Sequence, residues 1–422
     1  VVTVPIRMVA AAPVGPVSPV GPVSPVAPVA PVAPSAPVAP AGPVSPEEGR
    51  KRTMAWSILQ AHNISGDPEH LQIRFDAMVS HDITYVGIIQ QARASGMKEF
   101  PIPYALTNCH NSLCAVGGTI NEDDHMFALS AAKKYGGEFV PAHQSVIHSY
   151  MRERYAAPGR MILGSDSHTR YGAYGTVAIG EGGPELARQL LEKTYDIAYP
   201  KVIAVHLTGA PRPGTGPQDV ALALIGATFR EGIVKNAVLE FFGPGVECLS
   251  MDYRSGIDVM TTETACLSSV WSTDDITREH LDILGRGDQF QSQAPAEGAY
   301  YDALIEIDLS TVEPMIALPF HPSNAYPIRE FKANMADLLH QVDLDAAEQL
   351  GIRNAASLTA KIVNGQFHVD QGVIAGCSGG TYQNLVRAAQ ILDGHSIGAD
   401  AFWLSCYPGS MPIHLELTKN GY

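Results

Sequence analysis

Cysteine is scarce in this chain of 422 residues: six, at Cys109, Cys114, Cys248, Cys266, Cys377 and Cys406, with no Cys-x-x-Cys pair among them. That is too sparse for a disulfide framework and points to a reducing compartment such as the cytoplasm. Basic residues are also outnumbered, 28 Lys and Arg against 43 Asp and Glu, for a formal charge of −15. The balance excludes a large basic surface for nucleic acid or anionic lipid, and a small acidic substrate would need a locally basic pocket. No apolar run approaches a membrane span, and the first residues lack a charged region followed by a hydrophobic signal segment. A soluble protein without a membrane partner is expected.

Charge is almost missing at the start, where Arg7 alone precedes Glu47. From Pro13 to Pro46 a proline stands at every third position, with Val, Ala, Ser and Gly between. That spacing suits polyproline II and cannot build a helix or a central strand, so residues 1–53 are expected to form a disordered Pro-rich arm outside the fold. The segment lacks the flanking Arg or Lys of a docking ligand, which favours a spacer.

What remains is 45% hydrophobic overall and longer than one core supports, so two or more domains are expected. After Met54, short apolar runs alternate with helical periodicity. Helices are predicted at 126–135, 184–194, 217–230, 329–349 and 382–392, and strands at 201–207, 238–242, 303–309, 373–375 and 401–406. The alternation argues an α/β fold with mostly parallel sheets. Breaks near Lys201 and at Pro319-Phe320-His321-Pro322 divide the body into 54–201, 202–320 and 321–422.

One stretch concentrates chemistry. Gly164-Ser165-Asp166-Ser167-His168-Thr169 follows the apolar Met161-Ile162-Leu163 and precedes a glycine-spaced turn. A strand ending in such a loop belongs at the carboxyl edge of a sheet, where α/β proteins place their sites. Asp and Ser in a turn also commonly bond only their own backbone, so the hexapeptide alone leaves both readings open. A second stretch, Ile374-Ala375-Gly376-Cys377-Ser378-Gly379-Gly380, sets Cys377 between a strand end and a helix start, where free amides would favour a thiolate. A lone cysteine is more often a small buried hydrophobe.

In order, His148 in Ser145-Val146-Ile147-His148, Gly164 to Thr169, Lys201 to Gly209, Phe242-Gly243-Pro244-Gly245-Val246, Met260 to Trp271 and Ile374 to Ala389 resemble successive motifs of the aconitase and 3-isopropylmalate dehydratase family, nearest its uncharacterised hydratase branch. The match covers nearly all of 54–422. The resemblance implies α/β/α domains around a cluster cleft and a hydro-lyase acting on a small hydroxy-polycarboxylate. It also implies a [4Fe–4S] cluster held by three cysteines, with an open iron acting as Lewis acid. Carried over, Cys377 matches the first cluster cysteine; His148 with Asp166 and His168 with Glu263 match two His–carboxylate pairs. The implied catalytic residues are therefore His148, Asp166, His168 and Glu263, and the implied substrate-binding residues are His81, Asp166, Ser167 and His168. A carboxylate beside an imidazole fixes its tautomer and raises its basicity. The family's setting adds the mitochondrial matrix as the alternative to the cytoplasm.

Departures from the pattern are specific. Cys109-His110-Asn111 stands where the aconitases proper carry Cys-Asp-His, and Ser378-Gly379-Gly380 replaces Thr-Asn-Ser, which puts citrate and isocitrate in doubt as substrates. The family's Cys-x-x-Cys segment and its mobile C-terminal domain find no match before Tyr422. The expectation is a C-terminally truncated cluster-side part, with domain 321–422 incomplete, the other cluster cysteines beyond Tyr422, and the swivel domain supplied elsewhere, for example by a separate chain. Two alternatives are a non-catalytic remnant of the fold and a mononuclear metal hydrolase using His148, Asp166 and His168.

Overall fold

The computed structural model describes residues 6–10, 44–109, 119–353, 357–398 and 401–422. Two five-stranded sheets carry the architecture, and the α/β fold with mostly parallel strands is present. The first sheet is wholly parallel, in the order Glu138–Val140, Tyr104–Thr107, Ala77–His81, Met161–Gly164, Val177–Gly180. The second runs Ile6–Ala10, Ala303–Asp308, Val202–Thr208, Val238–Phe242, Ser268–Trp271, with only its first pair antiparallel.

Parallel strands must be covered on both faces, and the side-chain alternation shows how this is done. Met78, Leu106 and Leu163 face one way, with Ile58 and Leu59 of the Met54–His62 helix and with Val202, Ala204, Val238 and Val270 of the second sheet. Ala77, Val79, Ala105 and Ile162 face the other way, onto Ile147 and Met151 of the Ile147–Arg154 helix and onto Tyr171 and Tyr174. The largest core therefore runs through Lys201 without a break, and the two sheets share it. Buried Glu240 helps join them: it accepts from the Met54 and Ala55 amides at 3.1 and 2.9 Å, at the start of the Met54–His62 helix, and from the Tyr301 hydroxyl at 2.6 Å.

Beyond Met315 the strands come in pairs, among them the parallel Gln371–Ile374 and Trp403–Cys406. This part is fastened to the first sheet's helix. The Val146 amide donates to Gly409 O at 2.8 Å, the Met411 amide to Gln144 O at 2.8 Å, and Ser145 bridges Ser410.

Most elements fall where the periodicity puts them, including Tyr382–Leu392 and Val238–Phe242. The helix expected at 184–194 is shorter, Gly183–Gln189, and Glu192 beyond it takes a left-handed φ of 58°. The arm expected over 1–53 is altered at both ends. Ile6–Ala10 pairs with Ala303–Asp308, and Pro46–Arg50 is helical, with Ser45 as N-cap and Pro46 at the first turn. Ile6–Ala10 contains no proline, so the exclusion argued from the repeat does not reach it. Residues 13–43 of the repeat, together with His110, Asn111 and Cys114, lie outside the described residues.

Candidate functional site

The carboxyl ends of the first sheet's central strands meet at Asp166. Its loop leaves the Met161–Gly164 strand and lies directly over two glycines. A Cβ on Gly180 would come within 2.3 Å of Asp166 O, and one on Gly164 within 2.1 Å of Thr169 Oγ1, so only glycine admits the loop. Within the loop Thr169 Oγ1 donates to Asp166 O at 2.7 Å. Part of the turn's polar chemistry is thus local, but the Asp166 carboxylate reaches outward.

Asp166 Oδ1 accepts from His148 Nε2 at 2.9 Å and from the His168 amide at 2.7 Å, and Oδ2 lies 3.6 Å from His81 Nε2. His81 ends the neighbouring strand Ala77–His81, and His148 sits in the first turn of its helix. His168 Nε2 donates to Glu263 Oε1 at 2.8 Å, from the Thr261–Thr264 turn, and His168 Nδ1 is 3.6 Å from Asp166 Oδ1 and 3.4 Å from Ser167 Oγ. The Thr262 hydroxyl donates to Ser167 O, closing the two turns on each other. The structure thus brings His81, His148, Asp166, Ser167, His168 and Glu263 together from positions far apart in the chain.

Two of the three imidazoles, His148 and His168, are in opposite states. His148 Nε2 donates to a carboxylate, so its Nδ1 accepts, and the buried Tyr171 hydroxyl at 3.2 Å is the donor. Burial pushes His148 down to about 4, against the pull of Asp166, so the ring is neutral. The carboxylate raises the basicity of this imidazole, as the residue pairing suggests, but desolvation outweighs it. His168, half-exposed, is pushed up to about 9 by its hydrogen bonds to Asp166 and Glu263, and is an imidazolium at neutral pH. The His168 contact in turn holds Glu263 below the usual carboxylate range. With neither ring nitrogen of His148 free, the mononuclear metal arrangement of His148, Asp166 and His168 does not fit this geometry.

Cys377 stands in the four-residue turn Gly376–Gly379 after the Gln371–Ile374 strand. Burial pushes its thiol up, opposed by the charge of Arg152 and reinforced by those of Asp166 and Cys109. The thiolate expected from a helix start is therefore not favoured here, because the helix is too short and desolvation outweighs it. Arg152 Nη1 donates to Cys377 O at 2.7 Å, placing that turn against the His148 helix.

The [4Fe–4S] cluster that the resemblance implies takes three thiolates, where an ordinary one takes four. Among the described cysteines, Cys266 donates to Thr261 O at 3.3 Å, and Cys248 and Cys406 are exposed. Among the described residues no three His, Cys, Asp or Glu side chains form a group that could hold a metal. The described donor set does not by itself fit the cluster. Sequence reasoning passed over Tyr171, Arg152 and Ser410, whose partners lie 23, 225 and 257 positions away and leave no local pattern.

Over residues 56–422 the sequence matches the aconitase family (aconitate hydratase). It is 30% identical to the mitochondrial aconitate hydratase of Schizosaccharomyces pombe over 399 residues, 88% of this chain and 47% of that protein. It is 29% identical to the mitochondrial aconitate hydratase of Candida albicans over 399 residues, 88% of this chain and 48% of that protein. An aconitase–ribosomal protein bL21m fusion protein of Schizosaccharomyces pombe is 30% identical over 317 residues, 67% of this chain and 34% of that protein. The chain spans about half the length of the curated relatives it matches.

Proposed function

The chain belongs to the aconitase family, and from that premise we propose that it forms the histidine–carboxylate side of a hydro-lyase that removes or adds water on a small hydroxy-polycarboxylate. The observation that carries this reading is the charge alternation Asp166, His168, Glu263 at the carboxyl edge of the first sheet, with the imidazolium half-exposed. A substrate carboxylate would meet the His168 cation, with Ser167 and His81 beside it. In a partly desolvated site such a charge-assisted contact is stronger than in water. Neutral His148, fixed between Asp166 and Tyr171, adds no second positive charge and holds the Asp166 carboxylate in place beside His168.

In this reading Cys377 is one thiolate ligand of the [4Fe–4S] cluster implied by the family resemblance, with the other thiolates outside the described residues. The mitochondrial names of the matched relatives favour the matrix over the cytoplasm.

The test is calorimetric titration of the full chain with propane-1,2,3-tricarboxylate as probe, beside Asp166→Asn and His168→Gln. Saturable binding in the parent, weakened about tenfold or more in both variants, is expected for a lost charge-assisted contact. Binding of equal strength in all three proteins would remove the basis of the proposal.

A further inference from the structure

In the sequence, Pro319-Phe320-His321-Pro322 reads only as a boundary between domains. In the structure it carries a fourth imidazole, after His81, His148 and His168, to the rim of the site. The His321 ring stacks on Phe229, with centroids 3.9 Å and planes 22° apart. Its Nδ1 accepts from the Ser323 amide at 3.1 Å and lies 3.0 Å from the Ser323 hydroxyl. The turn is itself fixed: Asn324 Nδ2 donates to Pro319 O at 2.8 Å, and the Leu318 amide to Asn324 O at 2.8 Å.

An Nδ1 that accepts a main-chain N–H carries no hydrogen in the neutral ring, so the hydrogen is on Nε2. That Nε2 lies 3.7 Å from Glu263 Oε2, while His168 Nε2 lies 2.8 Å from Glu263 Oε1. The Glu263 carboxylate is therefore flanked by an imidazole at each oxygen. Restraining the His321 ring costs rotamer freedom, and every restraint leaves the same N–H facing the same carboxylate. A proton relay outward is excluded by this tautomer, since the nitrogen facing Glu263 is already protonated.

We propose that His321 is a positioning residue for Glu263: its fixed Nε2–H attracts the second carboxylate oxygen and so keeps the first on His168. The proposal deepens the reading of His168 as the substrate-facing cation and rests on it. Without His321, Glu263 regains side-chain freedom and contacts His168 for part of the time only. The groups that set the His168 charge are Asp166 and Glu263, with the Ser167 hydroxyl at its Nδ1 and the His148 ring beside it. Of these, only Glu263 changes its restraint.

The experiment follows the His168 ring nitrogens by long-range proton–nitrogen NMR across pH in the full chain. His321→Phe keeps a ring to stack on Phe229 and removes the N–H; His321→Gln keeps an N–H donor. The His168 midpoint is expected to fall by roughly half a pH unit or more in the Phe variant, as a partner carboxylate is partly lost, and to recover by at least half of that in the Gln variant. An unchanged midpoint in the Phe variant, or an equal fall in both, overturns the proposal. Neither readout needs turnover, so this result is separable from the tricarboxylate titration that tests the hydro-lyase reading.

Discussion

Arg152, on the His148 helix, donates its Nη1 hydrogen to the main-chain carbonyl of Cys377 at 2.7 Å and its Nη2 hydrogen to that of Ser255 at 3.4 Å. One buried guanidinium thus ties the helix that carries the neutral imidazole to the turn that carries the thiol and to the Met251–Met260 helix.

Arg152→Leu removes the donor from both carbonyls inside the protein. A loss of about 2–3 kcal/mol of stability is expected, since buried acceptors left unpaired cost more than the bond contributed. Urea unfolding measures it. Arg152→Lys, which keeps the charge but not the fork, is expected to recover only part of the loss.

Gly180→Ala tests the seat of the Asp166 loop. The added methyl would meet main-chain atoms, Asp166 O at 2.3 Å and Ser167 Cα at 3.0 Å, which cannot turn aside as a side chain could. The loop must shift, at a cost of about 1–3 kcal/mol. The His148 to Asp166 bond is expected to be lost with it, visible as a change in the His148 nitrogen shifts.

The two imidazoles predict opposite pH dependences. His168 has a folded value of about 9 against an ordinary 6.5, so its contribution to stability is complete below 6.5 and is lost as pH rises through 9. His148, at about 4, contributes fully above 6.5 and loses that contribution as pH falls through 4. Unfolding followed across pH should therefore show a decline on each side of about 6.5. His168→Gln should flatten the alkaline side alone, and His148→Gln the acid side alone.

Removing residues 1–43 takes away the Ile6–Ala10 strand and leaves the outer edge of Ala303–Asp308 without its antiparallel partner. An exposed strand edge is a template for other chains. Greater self-association of the shortened protein is expected in light scattering, with the Ala303–Asp308 amides exchanging faster with solvent. Unchanged scattering and exchange would show that this strand adds nothing to the edge.

How much of this was legible depends on distance along the chain. Val238–Phe242 and Tyr382–Leu392 are local patterns, and their hydrophobic spacing is enough to place them. The pairs His148–Asp166 and His168–Glu263 were accessible through ordered motifs, although the second pair is 95 residues apart. His321 and Arg152 were not, because each matters only through a partner that the fold delivers. Nor could the residue pairing show that burial overrides Asp166 at His148 while leaving His168 a cation. That depends on how much water each ring retains, and Tyr171 and the His148 helix decide it.

The Ile147–Arg154 helix has no side-chain cap of its own, and the residues leading into it are held by Gly409, Ser410 and Met411. The Ser145 and Gly409 contact spans 264 positions. During synthesis at about 5–20 residues per second, the His148 strip would leave the ribosome roughly a quarter of a minute to a minute before the turn that fastens it. For that interval the helix entry lacks the partners that fasten it in the folded protein, which become available only when the 409–411 turn arrives.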